Sequence, residues 1–190
     1  MKTFAALLVL LFSIAVGLSQ EQLTPDKFRE IVATPGDKVP LQPKLAAGSP
    51  LWTNATVDVV LKYQTGKVFK EDITQTAKTI DGKYIVFTGQ SQFYHQPMSS
   101  ILTYDEKASA LKVYGLYGDG HGSDVVTEGL IVYDYGKKIY SASSTYGDGF
   151  KEITVGSYSD MESSDRTLVY KNGILFMTRE VKSHPAVATK

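Results

Sequence analysis

Apolar residues recur at every second position through most of the chain. Val57, Val59 and Leu61, for example, stand between residues that are mostly polar. A period of two is typical of a β-strand with one buried face. Dipeptides such as Asp81-Gly82 and Asn172-Gly173 separate successive segments, and they readily supply the positive φ angles of a two-residue hairpin turn. The pattern predicts about ten short strands between residues 51 and 184.

Strands that follow one another through tight turns form an antiparallel meander. A long meander must protect its edge strands, because an exposed edge pairs with other chains. Closing the sheet into a barrel removes the edges altogether. We therefore predict an all-β fold, a single antiparallel up-and-down barrel over residues 51–184. A two-sheet β-sandwich is the alternative.

The residues before the strands have a different pattern. Thr24-Pro25-Asp26 is typical of a helix start, with an N-cap, a first-turn proline and an early acid. The apolar residues that follow share one helical face, so a short helix is predicted from about Pro25 to Ala33. Four prolines then lie between residues 35 and 50. Residues 20–50 are predicted to form an N-terminal helix and a Pro-rich linker, in which the helix either caps an open end of the sheet structure or serves as a tether.

The first residues have the pattern of a secretory signal peptide. Lys2 precedes an apolar run from Phe4 to Val16, and the small residues Gly17 and Ser19 follow. The run is shorter than the roughly 20 residues that span a bilayer. A positive start, an apolar run and small residues together predict cleavage. We expect residues 1–19 to be removed and the mature protein to be secreted or periplasmic.

Charge and cysteine content exclude several classes of function. The chain has 20 Lys and Arg residues and 20 Asp and Glu residues, so its formal net charge is zero. Nucleic-acid binding requires a clustered basic excess, and an anionic membrane surface attracts a polybasic segment. Neither is present along the sequence. Because there is no cysteine, disulfides, thiolate metal sites and thiol nucleophiles are also excluded.

The tetrapeptide Tyr-Gly-Asp-Gly occurs twice, at residues 117–120 and 146–149. Each copy ends a similar unit, which begins with a Tyr-Asp pair at 104–105 or 133–134 and continues through a lysine-bearing turn and a short strand. A hairpin unit repeated in succession is expected in an up-and-down barrel and places both copies at one end. The tetrapeptide lacks the lysine, hydroxyl and helix of a phosphate loop and the spacing of an EF-hand. Its Asp-Gly pairs are therefore interpreted as turn formers.

On the strands that lead to the two copies of the tetrapeptide, the side chains of one face become smaller in the same order. Leu111, Val113 and Gly115 share one face, and the second unit passes from Tyr140 to Ser144 on the matching face. If these faces point inward, their small residues leave space beneath the rim, and a small barrel can hold one small ligand. The alternative is that small residues relieve crowding where strands coil.

Other residues give little indication of chemistry. The three histidines, His95, His121 and His184, have no metal-binding spacing. No Gly-x-Ser-x-Gly elbow is present, and the carboxylates are too evenly scattered to nominate an acid–base pair. We predict no metal and no cofactor, and the sequence favours no particular reaction.

The segment LTYDEKASALKVYGLYGDGHG resembles uncharacterised bacterial lipocalin-like proteins, which are grouped as a domain of unknown function among the calycin-type barrels. Trp52 corresponds to the tryptophan-led first strand of that family, and Tyr104-Asp105 to Tyr114 to its Tyr-Asp turn and following strand. A later strand-and-turn pattern corresponds to Arg166 to Val181, so the resemblance covers residues 50–182. It implies a closed antiparallel barrel without an established activity or catalytic residue.

We therefore expect a barrel that binds a small, partly apolar ligand. Tyrosine suits such a site because it combines an apolar ring with a polar tip. Two alternatives remain: a hydrolase or isomerase that uses a histidine at the barrel mouth as a base, and a structural or interaction protein with a filled core. The residues expected to line or rim the cavity are Tyr114, Tyr117, Tyr140, Tyr146, His95 and His121.

Overall fold

The computed structural model describes residues 23–47, 52–91, 96–118, 124–145 and 149–186. The expected signal peptide, residues 1–19, lies outside the described residues, so its cleavage stays a prediction. Within the described part of the chain, no helix is both long enough and apolar enough to cross a membrane.

Ten strands form one closed antiparallel barrel, in which each strand pairs with the next and the first pairs with the last. The predicted all-β up-and-down barrel is confirmed, and the sandwich alternative is wrong. The strands are β1 (Asn54–Tyr63), β2 (Val68–Ile80), β3 (Tyr84–Ser91), β4 (Gln96–Asp105), β5 (Ala110–Gly118), β6 (Asp124–Asp134), β7 (Ile139–Thr145), β8 (Phe150–Tyr158), β9 (Ser163–Lys171) and β10 (Ile174–Pro185).

Two hairpin turns form where the sequence predicts them. Asp81 and Gly82 have φ angles of 53° and 64°, and Asn172 and Gly173 have φ angles of 50° and 80°. Positive φ at both central residues matches the twist of the flanking strands. These turns therefore establish the register of β2 with β3 and of β9 with β10.

The alternation of burial separates an inner from an outer face. On β1, the inward-facing Val57, Val59 and Leu61 are at most 8% exposed. The ladder places Ile73 of β2 and Ser183 of β10 opposite Val57, so the same face continues around the barrel. Residues that alternate with this set face outward.

Helix α1 (Pro25–Ala33) has the predicted bounds but not the predicted position. Phe28 and Ile31 are almost fully buried, and they pack with Val86 and Tyr114. Both partners belong to the outer face of the barrel. Helix α1 therefore lies on the barrel wall, and it neither caps an end nor serves as a loose tether, because its apolar face is buried there.

The Pro-rich linker is also docked on the barrel. Asp37 accepts a hydrogen bond from the N–H of Asp81 at 2.6 Å, and the N–H of Gln42 donates to the carbonyl of Gly82 at 2.9 Å. These bonds hold residues 37–42 against the β2–β3 hairpin.

The linker contains a short helix that was not predicted, α2 (Pro43–Ala47). A proline is compatible with the first turn of a helix because that N–H has no partner within the helix. Leu45 is fully buried and packs with the inward-facing Leu102 and Leu111. Helix α2 therefore covers one end of the barrel, the linker-covered end, where the β2–β3, β4–β5 and β6–β7 turns lie.

The repeated hairpin unit is present in the structure. Asp105 accepts a hydrogen bond from the N–H of Ala108 at 3.1 Å, and Asp134 accepts the equivalent bond from the N–H of Lys137 at 3.1 Å. Both β5 and β7 leave these turns and finish at the opposite end of the barrel, as the repeat predicts. The last turn residues, with φ angles of 48° and 52°, are Ser109 and Lys138.

Candidate functional site

Four adjacent strands, β7 to β10, place polar side chains on the inner wall of the barrel. Thr154 on β8 lies opposite Thr167 on β9, and Thr167 lies opposite Arg179 on β10. Two residues before Thr167 on β9, the ladder places Asp165 opposite Gly156 on β8. We define the interior polar cluster by the residues Tyr140, Glu152, Thr154, Asp165, Thr167 and Arg179.

Arg179 and Glu152 form a two-pronged ion pair within this cluster. Nη1 of Arg179 lies 3.3 Å from Oε1 of Glu152, and Nη2 lies 3.1 Å from Oε2. The Glu152 side chain is 10% exposed and the Arg179 side chain is 31% exposed. A two-pronged arginine–carboxylate contact fixes the relative orientation of both groups. The guanidinium therefore has a defined position on the wall but still borders accessible space.

Tyr140 and Asp165 form the second hydrogen-bonded pair of the cluster. The Tyr140 hydroxyl donates to Oδ2 of Asp165 at 3.1 Å. Burial raises the pKa of the Asp165 carboxyl, and it outweighs the lowering effects of Arg179 and of the hydrogen bond from Tyr140. Burial likewise raises the pKa of Tyr140, with the nearby Asp165 charge adding to it. The pair is thus biased toward its protonated forms.

Thr167 connects the Arg179–Glu152 ion pair with the Tyr140–Asp165 pair. Its side chain is fully buried, and its hydroxyl accepts from Nη2 of Arg179 at 3.4 Å. The same hydroxyl lies 3.5 Å from Oδ1 of Asp165 and 2.8 Å from the Thr154 hydroxyl. The six side chains therefore form one hydrogen-bonded set, in which a change at one group is felt by the others.

A second polar pair lies on the inner face of β2 and β3, which pair with each other. The hydroxyl of Ser91, which is fully buried, lies 2.9 Å from each carboxylate oxygen of Glu71. Glu71 lies opposite Val59 of β1, on the interior side. The inner wall thus has carboxylates on two sides.

Aromatic rings border the cluster at the end of the barrel opposite the linker. Phe176 makes edge-to-face contacts with Tyr63 and Phe150, and Tyr63 makes another with Phe69. A bulge between Leu175 and Met177 brings Phe176 into this group. We call these four rings, Tyr63, Phe69, Phe150 and Phe176, the aromatic lip.

A separate cleft lies outside the barrel, between α1 and the outer wall. Its volume is about 230 Å³, and its lining is mostly apolar, with residues such as Phe28, Val32 and Leu116. Among the described residues of this lining, the ionisable side chain is Arg29, which forms an ion pair with Asp26 at 2.9 Å. The interior polar cluster offers far more directional chemistry, and it is the stronger candidate site.

The structure places the residues predicted for the cavity in different surroundings. Tyr140 faces inward and belongs to the interior polar cluster. Tyr114 faces outward beneath α1, so any ligand contact that it makes would be outside the barrel. Contact of either tyrosine with a ligand stays a prediction. The predicted residues whose side chains lie outside the described part of the chain are Tyr117, Tyr146, His95 and His121.

Sequence reasoning missed five of the six residues of the cluster, all except Tyr140, and three of the five are ionisable. Glu152, Asp165 and Arg179 belong to strands that were predicted at nearly the right positions, but no local motif marks them. Strict alternation within each strand would have placed Arg179 on the same face as Met177 and Val181. A charged residue on an otherwise apolar face is unusual, and this is the signal that marks Arg179 in the sequence.

No group of three or more metal-ligating side chains suited to a metal ion occurs within the described ranges. The arrangement can instead bind by hydrogen bonding and charge: a carboxyl biased toward protonation, a phenol, two threonine hydroxyls and an ion pair share one wall. Such groups, set among apolar side chains, are typical of small-molecule sites.

The comparisons with known proteins support the fold. A solved structure of a DUF3598-family protein of unknown function from Nostoc punctiforme PCC 73102 is similar, with a TM-score of 0.50 and 12% sequence identity. The match covers 81% of this chain and 53% of that one, so this chain spans about half the length of its neighbour. No protein-family model matches the sequence, and no curated protein matches it. At this identity, the likeness concerns the barrel and carries no activity or site.

Proposed function

We propose that the barrel binds a small, partly apolar ligand whose polar group contacts the interior polar cluster. The carrying observation is the ion pair of Arg179 with Glu152 on the inner wall, joined to Asp165 through Thr167. An interior ion pair costs desolvation energy, and apolar residues of similar volume are often as stable or more stable. Because this ion pair is costly for stability alone, we interpret the polar inner wall as a surface that contacts a ligand.

Accessibility of the inner wall supports a ligand more than a filled core. Tyr140, Asp165 and Arg179 face the interior, yet each is only partly buried. In a barrel filled by side chains, these residues would be covered on all sides. The apolar residues around them, such as Val169 and Met177, would contact the apolar part of the ligand.

Removal of the Tyr140 hydroxyl tests the proposal. Tyr140→Phe keeps the ring but removes the donor to Asp165, so a ligand that uses this pair is expected to bind about fivefold to tenfold more weakly. The measurement is native mass spectrometry of protein purified from its own host, followed by titration of the co-purifying molecule into the stripped variant.

Tyr170→Phe is the matched control, because Tyr170 lies on the outward face of β9, next to the inward Val169. We expect this variant to bind like the parent protein. A parent protein with no added mass, and no thermal shift with a panel of fatty acids, sterols and haem, would overturn the proposal. Equal weakening by both variants would exclude the interior polar cluster as the site.

The alternative of a barrel enzyme requires a histidine at the mouth. His95 and His121 lie outside the described residues, and no observation on the inner wall favours a reaction. Ligand binding is therefore the function that the described residues support best, and the enzyme alternative stays an untested prediction.

A further inference from the structure

Two hairpin tips at the end opposite the linker expose apolar side chains together with lysines. Ile174 is 76% exposed, Val68 is 52% exposed and Phe176 is 39% exposed. Isolated exposed apolar residues are common on protein surfaces, but adjacent ones indicate an interaction site.

The two tips are neighbours in the fold, although they lie about a hundred residues apart in the sequence. The N–H of Gln64 in the β1–β2 turn donates to the carbonyl of Phe176 at 3.2 Å, and the rings of Tyr63 and Phe176 are 5.5 Å apart. Across the β9–β10 turn, Ile174 lies opposite Lys171. We call this surface, formed by Lys67, Val68, Lys70, Lys171, Ile174 and Phe176, the basic apolar tip.

Positive charge accompanies the apolar residues at the basic apolar tip. Lys67 lies with Nζ 4.4 Å from the centre of the Phe69 ring, and Lys171 lies 4.9 Å from the centre of the Phe150 ring. Residues 63–70 and 170–176 contain three lysines and no aspartate or glutamate. The whole chain is charge-balanced at 20 basic and 20 acidic residues and has no single polybasic segment. The local excess exists only because the fold brings the two turns together, so the linear sequence, which argued against an anionic membrane surface, does not show it.

We propose that the basic apolar tip docks on the surface of an anionic lipid bilayer. Lysines near an anionic surface gain attraction, and adjacent apolar side chains enter the boundary between headgroups and acyl chains. The aromatic lip shares Phe176 with the basic apolar tip, and aromatic rings favour the same interfacial layer. The proposal does not depend on whether the barrel interior binds a ligand.

Vesicle flotation tests this docking with the full mature chain. We expect the protein to float with vesicles that contain phosphatidylglycerol in phosphatidylcholine at low salt, and to remain unbound with phosphatidylcholine alone. Added salt is expected to release it, because exposed charges are screened. Replacement of Lys67 or Lys171 by Ala should weaken binding to the anionic vesicles about fivefold for each lysine.

Ile174→Thr tests the apolar contribution while keeping a β-branched side chain in the strand. We expect this variant to bind about tenfold more weakly. Val155→Thr is the matched control, since Val155 is 56% exposed on the outer wall of β8, away from the tip. Circular dichroism verifies that each variant is folded.

Absence of flotation with either vesicle would overturn the proposal. So would equal binding to both vesicle types, or equal weakening by Val155→Thr and Ile174→Thr. Selective weakening at the tip residues alone would support docking by the basic apolar tip.

Discussion

A single glycine determines where the Tyr140 ring can lie. A Cβ at Gly156 would fall 2.4 Å from Cζ of Tyr140 and 2.6 Å from its hydroxyl oxygen. The ring therefore lies against the bare backbone of β8, opposite Gly156 in the ladder. This close approach directs the hydroxyl toward Asp165.

Gly156→Ala is expected to displace the Tyr140 ring and break its hydrogen bond to Asp165. Overpacking of this kind costs about 1–3 kcal/mol of the free energy of unfolding. Urea unfolding measures the loss, and near-ultraviolet circular dichroism of the tyrosines reports the displaced ring.

Gly136→Ala provides the control for this change. The nearest atom to a Cβ at Gly136 is Oδ1 of Asp134 at 3.5 Å, which is an ordinary contact. We expect a change of less than about 0.5 kcal/mol for that variant. Equal stability of the two alanine variants would show that the ring can move at no cost.

The sequence predicts only part of the interior polar cluster. Alternation correctly predicted that Tyr140 shares a face with Ala142 and Ser144, and the structure places that face inward. Its partner Asp165 is 25 residues away, and Arg179 is 27 residues from Glu152. Such pairs depend on the register between strands, which no local pattern specifies.

Among the elements, α1 is joined to the barrel by a lysine of β2 in addition to its buried apolar face. Nζ of Lys78 donates to the carbonyl of Val32 at 2.6 Å and to that of Thr34 at 2.7 Å. The last carbonyls of a helix have no partners within the helix, and a cation at this end also interacts favourably with the helix dipole. Lys78 therefore combines a C-terminal cap with a link between two elements.

Lys78→Met is expected to destabilise the protein by about 1–3 kcal/mol, because two partly buried hydrogen bonds from a charged donor to backbone carbonyls are lost. Helix α1 should also become more sensitive to limited proteolysis, which measures its local opening. Lys70→Met is the control, since Lys70 is exposed on the same strand. Unchanged proteolysis of α1 in Lys78→Met would contradict the role of Lys78 as a link.

The elements differ in how well the sequence predicts them. Both bounds of α1 follow from its N-cap, its first-turn proline and its apolar face, which are all local signals. Helix α2 escaped prediction because it has five residues and one buried side chain, Leu45, so it shows no periodicity. Its stability comes from the barrel end that it covers, which is a tertiary effect.

For the whole molecule, the sequence indicated a closed barrel but not the pairing that closes it. Strands β1 and β10 pair over nine residues, from Ala55 with Pro185 to Tyr63 with Met177. Closure follows from the need to protect edges, whereas this register depends on packing of both inner faces. The basic apolar tip exists because this pairing brings the β1–β2 and β9–β10 turns together.

Two aspartates affect the pH dependence of folding in opposite directions. Burial alone would raise the pKa of Asp105, but hydrogen bonds from the N–H groups of Ala108 and Lys107 and from Lys112 outweigh it and lower the pKa. Lys112 is buried and lies 3.2 Å from Asp105 and 2.8 Å from Glu128. At Asp165, in contrast, burial prevails and raises the pKa.

The sign of each contribution to stability follows from proton binding. Below the ordinary aspartate pKa of 3.8, the unfolded chain binds more protons at Asp105 than the folded chain does, so stability falls as the pH falls. Above the same value, the folded chain retains the Asp165 proton longer, so stability falls as the pH rises through the raised pKa.

Asp105→Asn should therefore flatten the acid loss of stability, and Asp165→Asn should steepen the rise of stability with pH above 3.8. Urea unfolding between acid and neutral pH measures both slopes, with Asp160→Asn, at an exposed loop position, as the control. Parallel profiles for Asp165→Asn and the parent protein would show that the Asp165 carboxyl titrates alike in the folded and unfolded chains, which would contradict a raised pKa in the folded chain.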